Sequence, residues 1–453
     1  MGISNTVLSR VLVVTPDYLG VQMAGPAIRA FEMAKVLSAH ATVRLVSSVG
    51  SDLKHPAFDV HFANESRLRA DAAWADVIVF QGHILASYPW LGDDEHVLVA
   101  DIYDPMHLEV LEQSRGMEAE ERLGLALETV EILNAQIERA DFMLCASEKQ
   151  RDFWLGQLSG LSRINPRSYD PDPTLRSLLD VAPFGISDQP AEQTAHGIRG
   201  IVPGISTTDK VIIWGGGIYN WFDPITLIRA VGDVAVDHPD VRLYFLGVKH
   251  PNPNVPEMAV SLKARELAEE LGLLDRIVFF NSGWVPYDDR ANYLLDADLG
   301  VSTHLEHLET AFSFRTRILD YLWAGLPIVS TDGDTFAEII RDNGLGRVVP
   351  PQDVDALRAA LLEILYVPSQ HETARANVRS FAERFRWSIV LEPLVRFCLD
   401  PKAAADRVAG VVSVRRGELR DRDTRIAGLE TSLSWRLMRP MRAITGLRHR
   451  RLR

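Results

Sequence analysis

Three sets of residues in this chain have types and spacing suited to chemistry. Asp101 and Asp104 bracket the end of an apolar run at 97–102, in the stretch ADIYDPMH. Carboxylates at the carboxyl end of a strand face the ligand crevice and suit hydroxyl binding or acid–base work. The same residues also suit Asx-turn capping ahead of Pro105. His107 and Glu109 fall in the helical turn that follows. The triplet Gly215-Gly216-Gly217 closes a predicted strand before a helix, where glycine lets the backbone approach a phosphate and a helix N-terminus favours an anion. It is neither a GxGxxG fingerprint nor a Walker loop, so a plain tight turn explains it equally well.

The segment 309–325, ETAFSFRTRILDYLWAG, is the most informative. Arg315 and Arg317 lie in the first turn of a helix predicted from about Phe314, where cations oppose the helix dipole. A nearby diphosphate would account for them, because guanidinium matches phosphate oxygens bidentately. Pairing with neighbouring carboxylates is the alternative. Asp320 is placed to accept bonds from a ribose diol, or to pair with Arg317 at i,i+3. His304 and His307 form a His-x-x-His without a convincing third ligand, so no metal site is predicted.

These residues need elements to hold them. The run 10–16 is β-branched and unalternating, as suits a strand buried on both faces. Further strands are predicted at 42–48, 76–80, 97–102 and 142–146, with helices at 27–39 and 118–140. Residues 187–204 lack apolar periodicity and read as a linker. The alternation then restarts, with strands at 210–214, 241–246, 277–280, 299–302 and 327–330. Helices are predicted at 224–237, 258–271, 287–296, 314–324 and 353–366. Two βα-alternating halves predict two doubly wound domains facing a cleft.

Composition narrows the class. The 453 residues are 47% hydrophobic and 24% charged, which fits globular domains. Two cysteines, Cys145 and Cys398, cannot build a disulfide framework and fit a reducing cytoplasm. The first residues run straight into a strand without a signal-type cleavage site, and no apolar stretch reaches about 18 residues. The net charge of −13 is uneven. Residues 401–453 carry 14 Lys and Arg against 5 Asp and Glu, a balance of +9, which leaves the other 400 residues at −22. An acidic body argues against a nucleic-acid face.

The chain resembles the GT-B glycosyltransferases of the retaining family 4 group from Val11 to about Cys398. AGPAIRAFEMAKVL looks like the glycine loop and first helix of that family's acceptor domain, and ERADFMLCASEKQRDFW like the strand that ends its core. VAPFGIS is similar to the linker entry, and VIIWGGGIYNWFDPITLIRAV to the first βα unit of the donor domain. FRTRILDYLWAGLPIVSTDGDTFAEII resembles the nucleotide-sugar signature and is the most specific piece. The resemblance implies an acceptor domain at 1–190, a linker at 191–208, a nucleotide-sugar domain at 209–398 whose last helix crosses back, and a tail at 399–453.

It implies roles as well. Gly25, Gly215, Gly216, Gly217 and the amides around Phe312, Arg315, Thr316 and Arg317 would hold the donor diphosphate. Asp320 would bind ribose hydroxyls, and Glu338 falls at the "E.I" position. Asp104 lies near where many members touch the donor sugar. The family's first signature glutamate falls on Phe312 here, so Glu309 would supply that carboxylate from the loop. The usual Arg and Lys after the first donor-domain strand are replaced by Ile218, Tyr219 and Asn220, so Arg315 and Arg317 would replace their charge.

The function expected is retaining, metal-independent transfer of a sugar from a nucleoside diphosphate sugar to a saccharide or lipid-linked acceptor, with no separate cofactor. A nucleotide-sugar epimerase and a catalytically inactive scaffold are the alternatives. Residues 431–453 hold seven arginines and no acid, with Trp435, Met438 and Met441 at i, i+3, i+6. That pattern suits an amphipathic stretch on an anionic membrane surface, interrupted at Pro440. The expected location is the inner face of the cell membrane.

Overall fold

The computed structural model describes residues 9–93, 96–247, 258–281, 283 and 285–408. They build two parallel sheets. The first contains β1 (Arg10–Thr15), β2 (Thr42–Ser47), β3 (Asp59–Phe62), β4 (Val77–Gln81), β5 (Val97–Asp101), β6 (Phe142–Cys145) and β7 (Leu179–Val181). The second contains β8 (Lys210–Trp214), β9 (Val241–Phe245), β10 (Val278–Phe280), β11 (Leu299–Ser302), β12 (Ile328–Thr331) and β13 (Gly346–Val349). Their orders are β3-β2-β1-β4-β5-β6-β7 and β10-β9-β8-β11-β12-β13. Strand order reverses between β1 and β4 and between β8 and β11, the two switch points where open α/β sheets bind ligands.

Central strands are apolar throughout because helices cover both faces. β4 is buried at every position, and so is β1 beyond Arg10. The strands that the hydrophobic pattern did not reveal, β3, β7 and β13, are all edge strands. β3 (DVHF) is half-exposed, β7 has only three residues, and β13 opens with Gly and Arg. The predicted helix at 287–296 is shorter than expected: a single 3-10 turn at Tyr287–Asp289 follows Pro286, then a helix spans Arg290–Leu294.

The segment at 191–208 is pinned to the second domain. Asp296 accepts hydrogen bonds from three successive amides, Gly197 at 2.9 Å, Ile198 at 2.8 Å and Arg199 at 3.1 Å. Burial pushes the Asp296 carboxyl up, but the His196 bond at 2.6 Å, with the Ile198 and Arg199 amides adding to it, outweighs this and holds it below its ordinary range.

The chain's last described segment returns to the first domain. The Ile186 amide donates to the Phe385 carbonyl at 2.7 Å and its carbonyl accepts from the Trp387 amide at 2.9 Å, and the Trp387 indole leaves no room for a Cβ at Gly185. Phe397 stacks on Phe142 of β6 at 4.5 Å. Arg163, fully buried, meets the equally buried Asp406 at 2.6 Å and donates to the Ile137 and Ala140 carbonyls. Removing one member of such a pair strands a charge in a low dielectric. Asp406→Ala should therefore cost about 3–5 kcal/mol, read as a lower Tm together with faster amide exchange at 404–408. Unchanged exchange there would show that the pair does not anchor the return.

Candidate functional site

The carboxyl ends of both sheets open onto one cleft of about 430 Å3. Gly25, Asp104, Gly215, Gly216, Gly217, Glu309, Arg315, Thr316, Arg317 and Asp320 all line it. Phe312 and Glu338 do not.

The floor on the second-domain side is the turn after β8. Tyr321 fixes it from below: its hydroxyl accepts from the Gly215 amide at 2.8 Å and lies 2.8 Å from the Val301 carbonyl. The chain then turns through Gly216 at φ +76°, a conformation that glycine adopts without strain. Tyr321 belongs to the helix Thr316–Ala324, whose buried face is Ile318, Leu319, Tyr321 and Leu322 and whose C-terminus closes on Gly325 at φ +67°.

Arg317 projects from the first turn of that helix against the glycine turn. Its side chain donates to the Gly217 carbonyl at 2.8 Å and lies over the Phe222 and Trp214 rings at 3.9 and 4.3 Å. It is 6% exposed, and its Nη1 has no hydrogen-bond partner. Burial lowers its pKa to about 10, still charged at neutral pH. Among the described residues no carboxylate pairs with it. Asp320, the sequence-based candidate at i,i+3, turns instead to Arg290 at 3.1 Å, and Arg290 stacks on Tyr287 and Trp323.

Arg315 behaves differently. It is the N-cap residue rather than part of the first turn. Its guanidinium grips Glu309 with two bonds of 3.0 and 2.9 Å, and Glu309 is 1% exposed. The two arginines expected to share one role are therefore divided. Arg315 is neutralised, and the Glu309 carboxylate expected at the sugar is occupied by it. Phe312 ends the short helix Leu308–Phe312. Its carbonyl accepts from Gln150 of the first domain at 2.8 Å, and its ring packs on Phe153 at 4.7 Å. Phe312 thus joins the domains beside the cleft. Glu338 lies exposed on the helix Thr335–Asp342; the buried carboxylate of that turn is Asp334, which caps the helix through the Ala337 amide.

From the first domain, the helix Gly25–Leu37 points its N-terminus at the cleft without a side-chain cap. The helix Thr316–Ala324 does so from the other side. Each therefore presents first-turn amides and a positive dipole end to the same space. An added Cβ at Gly25 would meet nothing within 4 Å, so that position opens onto the cleft. Asp101 is structural. It lies fully buried in a two-bond pair with Arg29 at 2.7 Å and accepts from Gln81 at 3.1 Å.

Asp104 and Glu109 both line the first-domain wall of the cleft. Burial pushes Asp104 up to about 6, with Glu309 and Asp101 adding to it, and pushes Glu109 well above its ordinary value, with Asp104 adding to it. The histidines do not form a metal centre. His304 is buried against the Asp332 carbonyl, burial pushing its pKa down to about 3, and His307 caps the Thr310 amide. Among the described residues no group of three His, Cys, Asp or Glu could hold a metal ion.

Two sheets of this topology facing a shared cleft define the GT-B fold. Solved structures agree. WaaG, a glycosyltransferase involved in lipopolysaccharide biosynthesis, superposes with a TM-score of 0.59 at 18% identity, over 86% of this chain and 100% of that one. Anabaena HepE in complex with UDP-glucose gives 0.61 at 14% identity, over 85% and 98%. In the second domain, residues 209–366 match the family described as Glycosyl transferases group 1. The phosphatidyl-myo-inositol mannosyltransferase of Mycolicibacterium smegmatis is 26% identical over 170 residues, 38% of this chain. The O-antigen chain mannosyltransferase B of Escherichia coli is 30% identical over 109 residues, 23% of this chain and 27% of that protein. The match spans about two fifths of the length of the mycolicibacterial relative.

Burial of Asp104 has a pH signature. Its folded pKa lies above the unfolded value, so its contribution to stability is full below about pH 4 and is lost as pH rises through about 6. Asp104→Asn should flatten the fall in stability across that window, by on the order of 1–2 kcal/mol. Tm profiles of the two proteins between pH 4 and 7 check this, and parallel profiles would show an ordinary carboxylate.

Proposed function

We propose that the protein transfers a sugar from a nucleoside diphosphate sugar to a hydroxyl of a saccharide or lipid-linked acceptor, with retention and without a required metal. The observation that carries this reading is Arg317. A buried guanidinium with a free Nη1, beside a glycine turn and between two uncapped helix N-termini, is a charge awaiting an anion. A diphosphate satisfies all three features. The printed names of the relatives support the class, since two are mannosyltransferases and HepE was solved with UDP-glucose.

Retention in one step requires attack from the face that the leaving group occupies. The C1–O bond to the diphosphate breaks while the acceptor oxygen bonds to C1 from the same face. Negative charge builds on the leaving phosphate, where Arg317 and the amides lie ready to stabilise it. The acceptor's proton passes to a phosphate oxygen, so the mechanism requires no separate protein base. Asp320, held by Arg290 at the cleft edge, suits the ribose hydroxyls. Charge from Arg317 and the amides can take the place of a bridging cation, which supports metal independence. Epimerase and scaffold readings gain no support from the relatives.

The location is part of the proposal. No helix among the described residues is long and apolar enough to cross a membrane. Residues 431–453, with their seven arginines, lie outside the described residues, and we assign them to an anionic membrane surface on the cytoplasmic side. Deleting 431–453 should abolish co-sedimentation with phosphatidylglycerol vesicles, and equal binding by both proteins would reject the assignment.

Arg317→Met offers a two-sided test. Removing a buried charge without a carboxylate partner should leave Tm unchanged or raise it. Loss of its charge-assisted bonds should weaken nucleoside diphosphate binding by about 10- to 100-fold. Calorimetry with UDP, GDP, ADP and dTDP reads the second effect. Wild-type affinity in the variant would sink the diphosphate assignment.

A further inference from the structure

One helix of the first domain carries apolar side chains that the rest of the domain does not cover. The helix Ala119–Arg139 is buried through Thr129, Leu133, Gln136 and Ile137 in its second half. In its first half, residues 119–128, all but the half-buried Arg122 and Ala126 are exposed. Leu123, Leu127 and Val130 are 53%, 56% and 37% exposed and repeat at i, i+4 and i+7, so they form one stripe. Single surface leucines are ordinary, whereas a contiguous apolar stripe marks a contact face. The same turns carry Glu118, Glu120, Glu121, Glu128 and Glu131, all exposed and, among the described residues, without an ion-pair partner. Arg122, the one base between them, donates to the Leu111 carbonyl at 2.7 Å.

An anionic bilayer or a second copy of this face would bring negative charge against those glutamates. A basic, apolar segment suits it, and the chain contains one. Residues 431–453 combine seven arginines and no acid with Trp435, Leu437, Met438 and Met441. The described chain also ends in the right place. Arg407 donates to Asp141 at 2.6 Å, and Arg163 joins Asp406 to the Ile137 and Ala140 carbonyls, so residues 404–408 lie at the carboxyl end of this same helix. Leu123 lies 17 residues before Ala140, about 26 Å along the helix. A chain of 22 residues, the length of 409–430, has a mean reach of about 26 Å without secondary structure and more when extended. We propose, independently of the nucleotide-sugar reading, that residues 431–453 dock on the leucine stripe of helix Ala119–Arg139 when no anionic membrane is present. The arginines meet the glutamates, and the apolar side chains cover Leu123 and Leu127. An anionic membrane and this helix then compete for one segment. The helix packs against Met106–Gln113, whose Glu109 and Gln113 line the cleft, so docking keeps the tail near the cleft and capture by a membrane removes it.

Amide hydrogen exchange of the full chain and of the chain ending at residue 430, in low salt without lipid, tests this. Amides at 119–131 should exchange about threefold or more slowly in the full chain. Leu123→Ser combined with Leu127→Ser in the full chain should remove that protection while leaving Tm unchanged, because both side chains are exposed. Phosphatidylglycerol vesicles should remove it from the wild-type chain, and salt of about 0.5 M should weaken it. Equal exchange in the two chains overturns the proposal. So does protection that survives the double substitution, or protection that grows with protein concentration, which assigns the stripe to a second copy. Slower exchange at 119–131 in the chain ending at residue 430 when vesicles are added gives the stripe to the membrane and also overturns it. Protection in the full chain that vesicles leave in place overturns the competition, and with it the membrane assignment of the tail.

Discussion

A buried guanidinium without a carboxylate is the constraint around which the cleft is arranged. Taking Arg317 out of water costs free energy that only well-placed acceptors and rings offset. The Gly217 carbonyl, the Phe222 face and the Trp214 face supply part of that compensation. They can do so because Tyr321, one turn further along the same helix, holds the end of β8 at a fixed height through Gly215 and Val301. Helix, turn and aromatic floor are therefore one unit on the cleft wall, with the buried Nη1 left without a partner.

The carboxylates divide by whether a partner reaches them. Asp101, Asp296 and Asp406 are matched by arginine or by backbone amides, and they hold elements together. Glu309 is matched as well, by Arg315. Among the described residues Asp104 and Glu109 have no Lys or Arg ion-pair partner, and they line the cleft. Charge that is satisfied inside the fold does structural work, whereas charge left over is available to a ligand.

Contacts between the domains bring the two walls together. Gln150 bonds both the Tyr103 and Phe312 carbonyls, the Tyr287 hydroxyl reaches Glu32 at 3.4 Å, and the returning segment at 386–408 packs Trp387 and Phe397 onto the first domain. Few of these contacts follow from nearest-neighbour patterns. Gln150 lies 162 residues from Phe312, and Arg290 lies 30 residues before the aspartate it holds.

The sequence by itself determined the two βα-alternating halves, the glycine turn, and the segment that carries Arg315, Arg317 and Asp320. Those features come from local periodicity and from residue types with special backbone behaviour, and both are written within a few turns of chain. It also placed Asp104 at a strand end and Glu109 in the helical turn that follows, without bringing both to the cleft wall. Only the tertiary structure decided which charges pair. It gave Glu309 to Arg315, turned Asp320 from Arg317 to Arg290, and left Glu338 on the surface. It also hid the edge strands from the pattern, because β3 is half-exposed, β7 has only three residues and β13 opens with Gly and Arg, so none shows the apolar run that marks a central strand. The reason is common to all of these. Pairing and exposure depend on distances between elements far apart in the chain, and those distances exist only once both sheets have formed and their cleft has closed around Arg317.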